Sequence, residues 1–232
     1  MTRNIIFIVT VLITAFLTSQ LFAEEHQEQF DADSWLEDDS EFRSIEVNEG
    51  ELIFIDPVKD KKTLQSEKEL TITESSLATG WVGLKQCYYN ISAIDRTDIV
   101  YRYKQVTNFR IISTKNIGKA STDGQVVQLR DIAADAVICV AAEVNVFEKR
   151  GPNNFVINSG PYYQQFFDGY FPYHVSLIVN FPGELVRVSG VSPPSQPLFN
   201  VRAGEHQLSI DTWFEGVLTI QIEFQRKLIA QK

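Results

Sequence analysis

The strongest constraint on the fold is a period-two alternation of apolar and polar residues near the carboxyl end. In residues 218–225 every second residue is Leu, Ile or Phe, and the residues between them are Thr, Gln or Glu. Successive side chains of a β-strand point to opposite faces, so this pattern predicts a strand with one face on a core and one in water. Such strands are typical of antiparallel sheets.

Similar short segments recur along the chain and are separated by turn signals. Asp123-Gly124, Gly151-Pro152 and Glu215-Gly216 are such signals, and residues 192–197 form a proline-rich connection. Many short strands without strand–helix–strand alternation predict an all-β fold with antiparallel β-sandwich architecture. The strand candidates are 51–55, 69–73, 81–91, 99–106, 109–113, 125–129, 136–147, 155–157, 174–181, 185–188, 207–210 and 218–225.

The number of strand candidates bears on the domain organisation. Roughly a dozen strands exceed the seven of a typical sandwich domain. We therefore expect two packed sandwich-like units, a first β-sandwich domain over 45–152 and a second over 153–232. One larger two-sheet body is the alternative.

The amino terminus has the layout of a secretory signal peptide over residues 1–23. Arg3 precedes an apolar run over 5–17, and a small residue, Ala23, stands at the expected cleavage site. An uncleaved membrane anchor is the alternative, but the polar residues 18–20 favour cleavage. We expect a periplasmic or extracellular protein that meets the membrane only through the signal peptide before cleavage.

The negative charge of the chain is concentrated in one segment. The whole chain has a formal net charge of −9, and residues 24–51 contain twelve acidic residues and one base, Arg43. Such a composition predicts a disordered acidic segment over 24–44, and an acidic arm that docks on a basic partner is the alternative. The remaining body is near neutral and lacks the basic face that phosphate binding needs, so nucleic acid is not an expected partner.

The two cysteines, Cys87 and Cys139, both lie in strand candidates. An even number of cysteines in an exported chain predicts a disulfide between them. Two buried free thiols are the alternative.

Residues 162–173 are the densest aromatic segment, with seven aromatic side chains among twelve residues. The spacing within this segment predicts a short aromatic helical connection, ended by Gly169 and Pro172. Packing of the segment into the core is one interpretation. The other is a binding surface, because exposed tyrosines stack on sugars or on partner side chains. Its candidate binding residues are Tyr162, Tyr163, Tyr170 and Tyr173.

Few residues are candidates for catalysis. The histidines are His26, His174 and His206, and Asp168 precedes His174 by six residues. Their spacing matches no metal-ligand signature, and no nucleophile elbow or phosphate-binding glycine loop is present. We therefore expect no catalytic residues, no metal and no cofactor.

These observations favour an exported, non-enzymatic β-sandwich protein that acts by binding or by assembly in the cell envelope. Its partner would be an envelope protein or a polysaccharide. One alternative is an envelope hydrolase with a His/Asp-based site near His174. Another is a structural accessory protein with an acidic regulatory arm.

Overall fold

The computed structural model describes most of the chain after the acidic segment. The signal peptide expected at 1–23 and the acidic segment expected at 24–44 lie outside the described residues. In the part described, no helix is long and apolar enough to span a membrane. The described residues are 48, 50–58, 62–166 and 169–227.

Strands make up most of the described chain, which confirms the all-β prediction. The one helix in these ranges is α1 (Ser76–Thr79). The strands are β1 (Ile53–Phe54), β2 (Gln65–Thr71), β3 (Trp81–Ile91), β4 (Ile94–Val100), β5 (Val106–Asp123), β6 (Val126–Asn145), β7 (Glu148–Lys149), β8 (Asn154–Tyr162), β9 (Gln165–Phe166), β10 (Gly169–Tyr170), β11 (Tyr173–Asn180), β12 (Val186–Ser192), β13 (Phe199–Ala203), β14 (Gln207–Glu215) and β15 (Leu218–Arg226).

The strands form two main sheets and a small hairpin. The larger sheet has the order β1-β14-β11-β2-β3-β6-β4, with β13 paired to β14 and β5 paired to β6. The smaller sheet has the order β12-β15-β8-β7, and β9 pairs with β10. Neighbouring strands are antiparallel except β2 and β11, which run parallel. The larger sheet is therefore mixed rather than purely antiparallel.

The main core lies between the inward faces of the two sheets. Leu177 of β11 and Ile222 of β15 are both fully buried and belong to the same apolar cluster. Side chains alternate in burial along β11 and along β15, as the period-two pattern requires. This arrangement confirms the β-sandwich prediction.

A second apolar cluster forms where the long β5–β6 hairpin and β4 extend the larger sheet. Val127, Leu129 and Ile138 are fully buried in this cluster. The hairpin turns through a two-residue loop, since Asp123 pairs with Val126, which confirms the turn predicted at this point. The described residues therefore form two apolar clusters, and Tyr103 and Phe109 pack against both of them.

The domain boundary expected between 152 and 153 does not separate two bodies. β2, from the expected first domain, lies beside β11, from the second, over seven paired positions. Residues 46–232 form one compact unit, and its main core contains side chains from both sides of the boundary. Pairing of β2 with β11 satisfies the backbone hydrogen bonds of both strands, so the two halves form one continuous sheet. The larger two-sheet body is therefore the correct alternative.

The aromatic helical connection predicted over 162–173 is also wrong. Tyr162 is the last residue of β8 and Tyr173 is the first of β11, and the short strands β9 and β10 lie between them. Gly169 and Pro172 leave room for fewer than two helical turns, too few to be stable in isolation. Pairing of Tyr162 with Leu218 and of Tyr173 with Phe214 satisfies the backbone instead.

The two cysteines lie in strands, as the sequence predicts, and these strands are adjacent and antiparallel. Cys87 of β3 is the direct partner of Cys139 of β6. Their Cα atoms are 4.0 Å apart, and their Sγ atoms, 2.09 Å apart, are at disulfide-bonding distance. The pair joins two central strands of the larger sheet at a sequence separation of 52 residues.

Candidate functional site

A cavity of about 620 Å³ lies at the junction of the two apolar clusters. The sandwich supplies one wall from β2, β3, β8 and β11, and β4 with the following residues 101–103 supplies the other. A volume of this size is typical of small-ligand sites. Six tyrosines border the cavity: Tyr88, Tyr101, Tyr103, Tyr162, Tyr163 and Tyr173.

The tyrosines form an apolar wall inside and an exposed rim at the mouth. Tyr162 and Tyr173 are only 5% and 4% exposed, because the strand ends turn both rings into the core. Tyr101 and Tyr103 stack with their ring centroids 6.3 Å apart. Tyr163 is 43% exposed, so the cavity is in contact with solvent on that side.

Lys68 is a basic residue that borders this cavity from inside the sandwich. Inward residues alternate along β2, so Ser66, Lys68 and Leu70 share the buried face, and Lys68 is only 6% exposed. Its Nζ donates a hydrogen bond to Ser159 Oγ at 3.1 Å. The same ammonium lies 5.3 Å from the ring centroid of Tyr162, within the range of a cation–π contact.

Polar side chains around Lys68 form a buried network. Ser159 Oγ and the Tyr162 hydroxyl are hydrogen bonded at 2.6 Å. Gln86 uses its amide nitrogen twice, donating to Ser66 Oγ at 3.0 Å and to the Tyr88 hydroxyl at 2.9 Å. A polar network within an apolar core fixes the orientation of its members when their hydrogen bonds are satisfied.

Burial keeps the phenols of the cavity protonated. It raises the pKa of Tyr88, Tyr101, Tyr103 and Tyr173 above the ordinary tyrosine value. Burial also raises the pKa of Tyr162, although the nearby Lys68 ammonium offsets part of the effect. The cavity therefore presents neutral hydroxyl groups near neutral pH.

The four tyrosines proposed as binding residues occupy different environments. Tyr162, Tyr163 and Tyr173 border the cavity, whereas Tyr170 does not belong to its lining. Tyr170 is half-buried and packs edge-on against Tyr163, with ring centroids 6.2 Å apart. The segment thus contributes both core side chains and part of the cavity rim.

The structure does not bring the two described histidines together. His174 Nε2 lies 3.1 Å from Asp211 Oδ2, and its ring stacks on Trp213 on the outer face of the larger sheet. The carbonyl of His206 accepts from the N–H of Phe181, at the other end of β11, roughly 20 Å along the strand. Asp168 and His26 lie outside the described residues. In the described ranges no cluster of residues could hold a metal ion.

Sequence reasoning missed two polar residues of the cavity lining, Lys68 and Gln86, and the buried Ser159, which lies outside the lining and accepts a hydrogen bond from Lys68. A signal was present, because Lys68 falls on the same face of the Gln65–Thr71 segment as Leu70. The predicted strand begins at residue 69, so it includes Leu70 but leaves out Lys68. The partners Gln86 and Ser159 come from β3 and β8, and only the folded chain places them beside Lys68.

No protein-family model matches the chain, and no curated protein matches it. Among solved structures, the M1 zinc metallopeptidase from Deinococcus radiodurans is similar with a TM-score of 0.36 at 10% identity, covering 71% of this chain and 42% of that chain. A mutant of that enzyme bound to a Tyr-Ser-Ala substrate gives a TM-score of 0.37 at 11% identity, covering 71% and 43%.

A mutant two-domain M1 zinc metallopeptidase bound to L-tryptophan gives a TM-score of 0.35 at 11% identity, covering 74% of this chain and 44% of that chain. The chain thus spans less than half the length of these structures. Scores of this size define neither a shared family nor a shared site.

Proposed function

We propose that this chain is an exported protein that acts by binding, without catalysis, in the periplasm or outside the cell. The observation that carries the proposal is the tyrosine-lined cavity, which is in contact with solvent and has polar groups at its floor. An apolar cavity with a few convergent polar groups is the usual form of a small-ligand site. A fitting ligand is a small molecule or one protruding group of an envelope polysaccharide or protein.

The cysteine pair supports the proposed location. Disulfides form and persist in oxidising compartments, and Cys87 and Cys139 lie at bonding distance in central strands. This geometry fits the signal peptide predicted over residues 1–23, which would deliver the chain to such a compartment.

The alternative of a hydrolase near His174 has one supporting feature, the His174–Asp211 pair. A nucleophilic mechanism also needs a hydroxyl or thiol within hydrogen-bonding reach of the histidine. In the described ranges the side-chain hydrogen bond found for His174 goes to Asp211 alone. Ser159 meets Lys68, but it is 1% exposed and is not part of the cavity lining. Binding is therefore the better-supported function.

A cavity-blocking variant tests the proposal. Ala93 borders the cavity at an exposed position, so Ala93→Trp should obstruct it without disturbing the core. Ala133→Trp is the matched control, because Ala133 is exposed and does not border the cavity. The readout is saturation-transfer NMR with 4-methylphenol, phenylacetate, phenylacetamide and methyl glucoside as probes.

We expect at least one probe to bind the wild type and Ala133→Trp and to lose binding to Ala93→Trp. Circular dichroism melting should show the same midpoint for all three proteins. Absence of binding by all four probes, or equal binding to Ala93→Trp, would overturn the proposal.

A further inference from the structure

The Lys68 ammonium differs from the cations of the described chain that form ion pairs. Lys62, Lys104, Arg130 and Arg150 each form an ion pair with a carboxylate at the surface. Lys68 is buried, and no carboxylate lies within ion-pairing distance of it among the described residues. A buried charge without an opposite charge is costly, and an anion placed beside it recovers part of that cost.

The groups that do contact Lys68 satisfy only part of its donor capacity. An ammonium has three N–H donors; one is directed to Ser159 Oγ, and the Tyr162 hydroxyl is a second acceptor beside it. The rings of Tyr103 and Tyr162 lie 5.5 and 5.3 Å away and stabilise the charge through cation–π contacts. Since Lys68 also borders the cavity, its remaining donor capacity is within reach of a ligand.

The Tyr101 hydroxyl is a second polar group of the cavity whose hydrogen bonding is incomplete. The hydroxyl of Tyr101 is buried next to the Tyr88 hydroxyl, but it forms no hydrogen bond of good geometry with a described residue. A buried hydroxyl whose O–H is not well paired carries a desolvation cost that a ligand acceptor reduces. Tyr101 and Lys68 border the same cavity and both donate, so both favour an acceptor group on the ligand.

The charged residues that line the cavity indicate which anion it can bind. Lys68 and Arg102 are the basic residues among the described lining; Arg102 is exposed, and the lining carboxylate Asp98 is paired with Arg130. One buried ammonium with neutral phenols matches a monoanionic carboxylate, whereas a doubly charged phosphate needs a cluster of cations. The tyrosine rings around it favour a flat, apolar ligand body.

We infer that the cavity binds a small carboxylate-bearing molecule with an aromatic or similarly flat apolar body, whose carboxylate is held by Lys68. This inference rests on the proposed function, because it specifies the ligand of the same cavity. The carboxylate takes the position of the missing counter-ion, and the tyrosine rings enclose the apolar part.

The test compares phenylacetate with phenylacetamide, which share a shape and differ in charge. We expect the wild type to bind phenylacetate about tenfold more tightly, as a charge-assisted hydrogen bond to an ammonium predicts. Titration calorimetry gives both dissociation constants. Inorganic phosphate at equal concentration should not displace phenylacetate.

Lys68→Met should abolish this preference, because methionine keeps the length of the side chain and removes the charge. Tyr101→Phe should weaken phenylacetate binding while leaving Lys68 in place. If Lys68→Met fails to fold, this variant tests whether the cavity holds the carboxylate. Lys85→Met is the control, since Lys85 is exposed on β3 and does not border the cavity.

Equal affinity for the acid and the amide in the wild type would overturn the inference. Displacement of phenylacetate by phosphate, or a full preference retained by Lys68→Met, would do the same. Binding of 4-methylphenol or phenylacetamide without any preference for the acid would leave the proposed function intact. Failure of all probes would instead remove the proposed function itself.

Discussion

At the scale of single residues, the side of a strand on which a side chain falls decides its role. Glu67 and Glu69 flank Lys68 in β2 and project to the outer face, where Glu67 accepts from the Tyr89 hydroxyl at 2.9 Å. Lys68 projects inward and meets Ser159 across the sandwich. A shift of one residue in register would exchange these faces, so the position of Lys68 depends on the pairing of β2.

The adjacent residues Tyr162 and Tyr163 lead to a prediction about the free energy of unfolding. Tyr162→Phe removes the hydroxyl that bonds Ser159 at 2.6 Å inside the core, whereas Tyr163→Phe removes a hydroxyl from a side chain that is 43% exposed. We expect Tyr162→Phe to lower the free energy of unfolding by about 1 kcal/mol, and Tyr163→Phe to change it little.

Urea denaturation of both variants measures the difference. The two substitutions remove the same atom from adjacent residues, so each serves as a control for the other. Equal stability of the two variants would contradict the hydrogen bond to Ser159.

At the scale of elements, agreement with the predicted strand bounds differs from strand to strand. β3 has the predicted bounds, 81–91. β4 was expected at 99–106 and lies at 94–100 instead. Most of its side chains are exposed, so its first residues carry no apolar alternation that a sequence could reveal.

Long strands were predicted in pieces. β6 runs unbroken from Val126 to Asn145, although the pattern predicts two strands within this range. Register shifts interrupt its pairing with β5, and Asp131 and Asp135 adopt a positive φ within β6. β-bulges of this kind change which side chains face inward, and they therefore hide a continuous strand from a period-two search.

The cysteine pair leads to a prediction at the same scale. Reduction of the bond between β3 and β6 should lower the free energy of unfolding by about 4 kcal/mol, because the closed loop restricts the unfolded chain. Denaturation with and without reductant measures this loss. Alkylation of the denatured protein followed by mass spectrometry verifies the bond itself, and uptake of two alkyl groups without reductant would contradict it.

At the scale of the whole molecule, the parallel pairing of β2 with β11 connects both halves of the chain. A protease recognition site inserted in the turn between β7 and β8, at Gly151 to Asn153, tests this connection. After cleavage we expect the two fragments to remain together in size-exclusion chromatography, because they share the larger sheet and the main core.

The fragments should separate only in denaturant, and the cut protein should unfold in a single transition. Insertion of the same site in the β5–β6 loop at Gly124 is the control, since that loop joins two strands within one half and the Cys87–Cys139 bond should hold its fragments together even in denaturant. Separation of the fragments in native buffer would show two independent domains.

The sequence by itself determined the fold class and the strand positions of both cysteines. Alternation along a strand and turn residues are local signals, and they act over a few residues. The tertiary structure alone decided that residues 46–232 form one unit, that Lys68 and Tyr101 border one cavity, and that Ser159 bonds Lys68 beside it. Those residues lie far apart in the chain, so strand pairing and the burial of apolar faces, rather than any local pattern, bring them together.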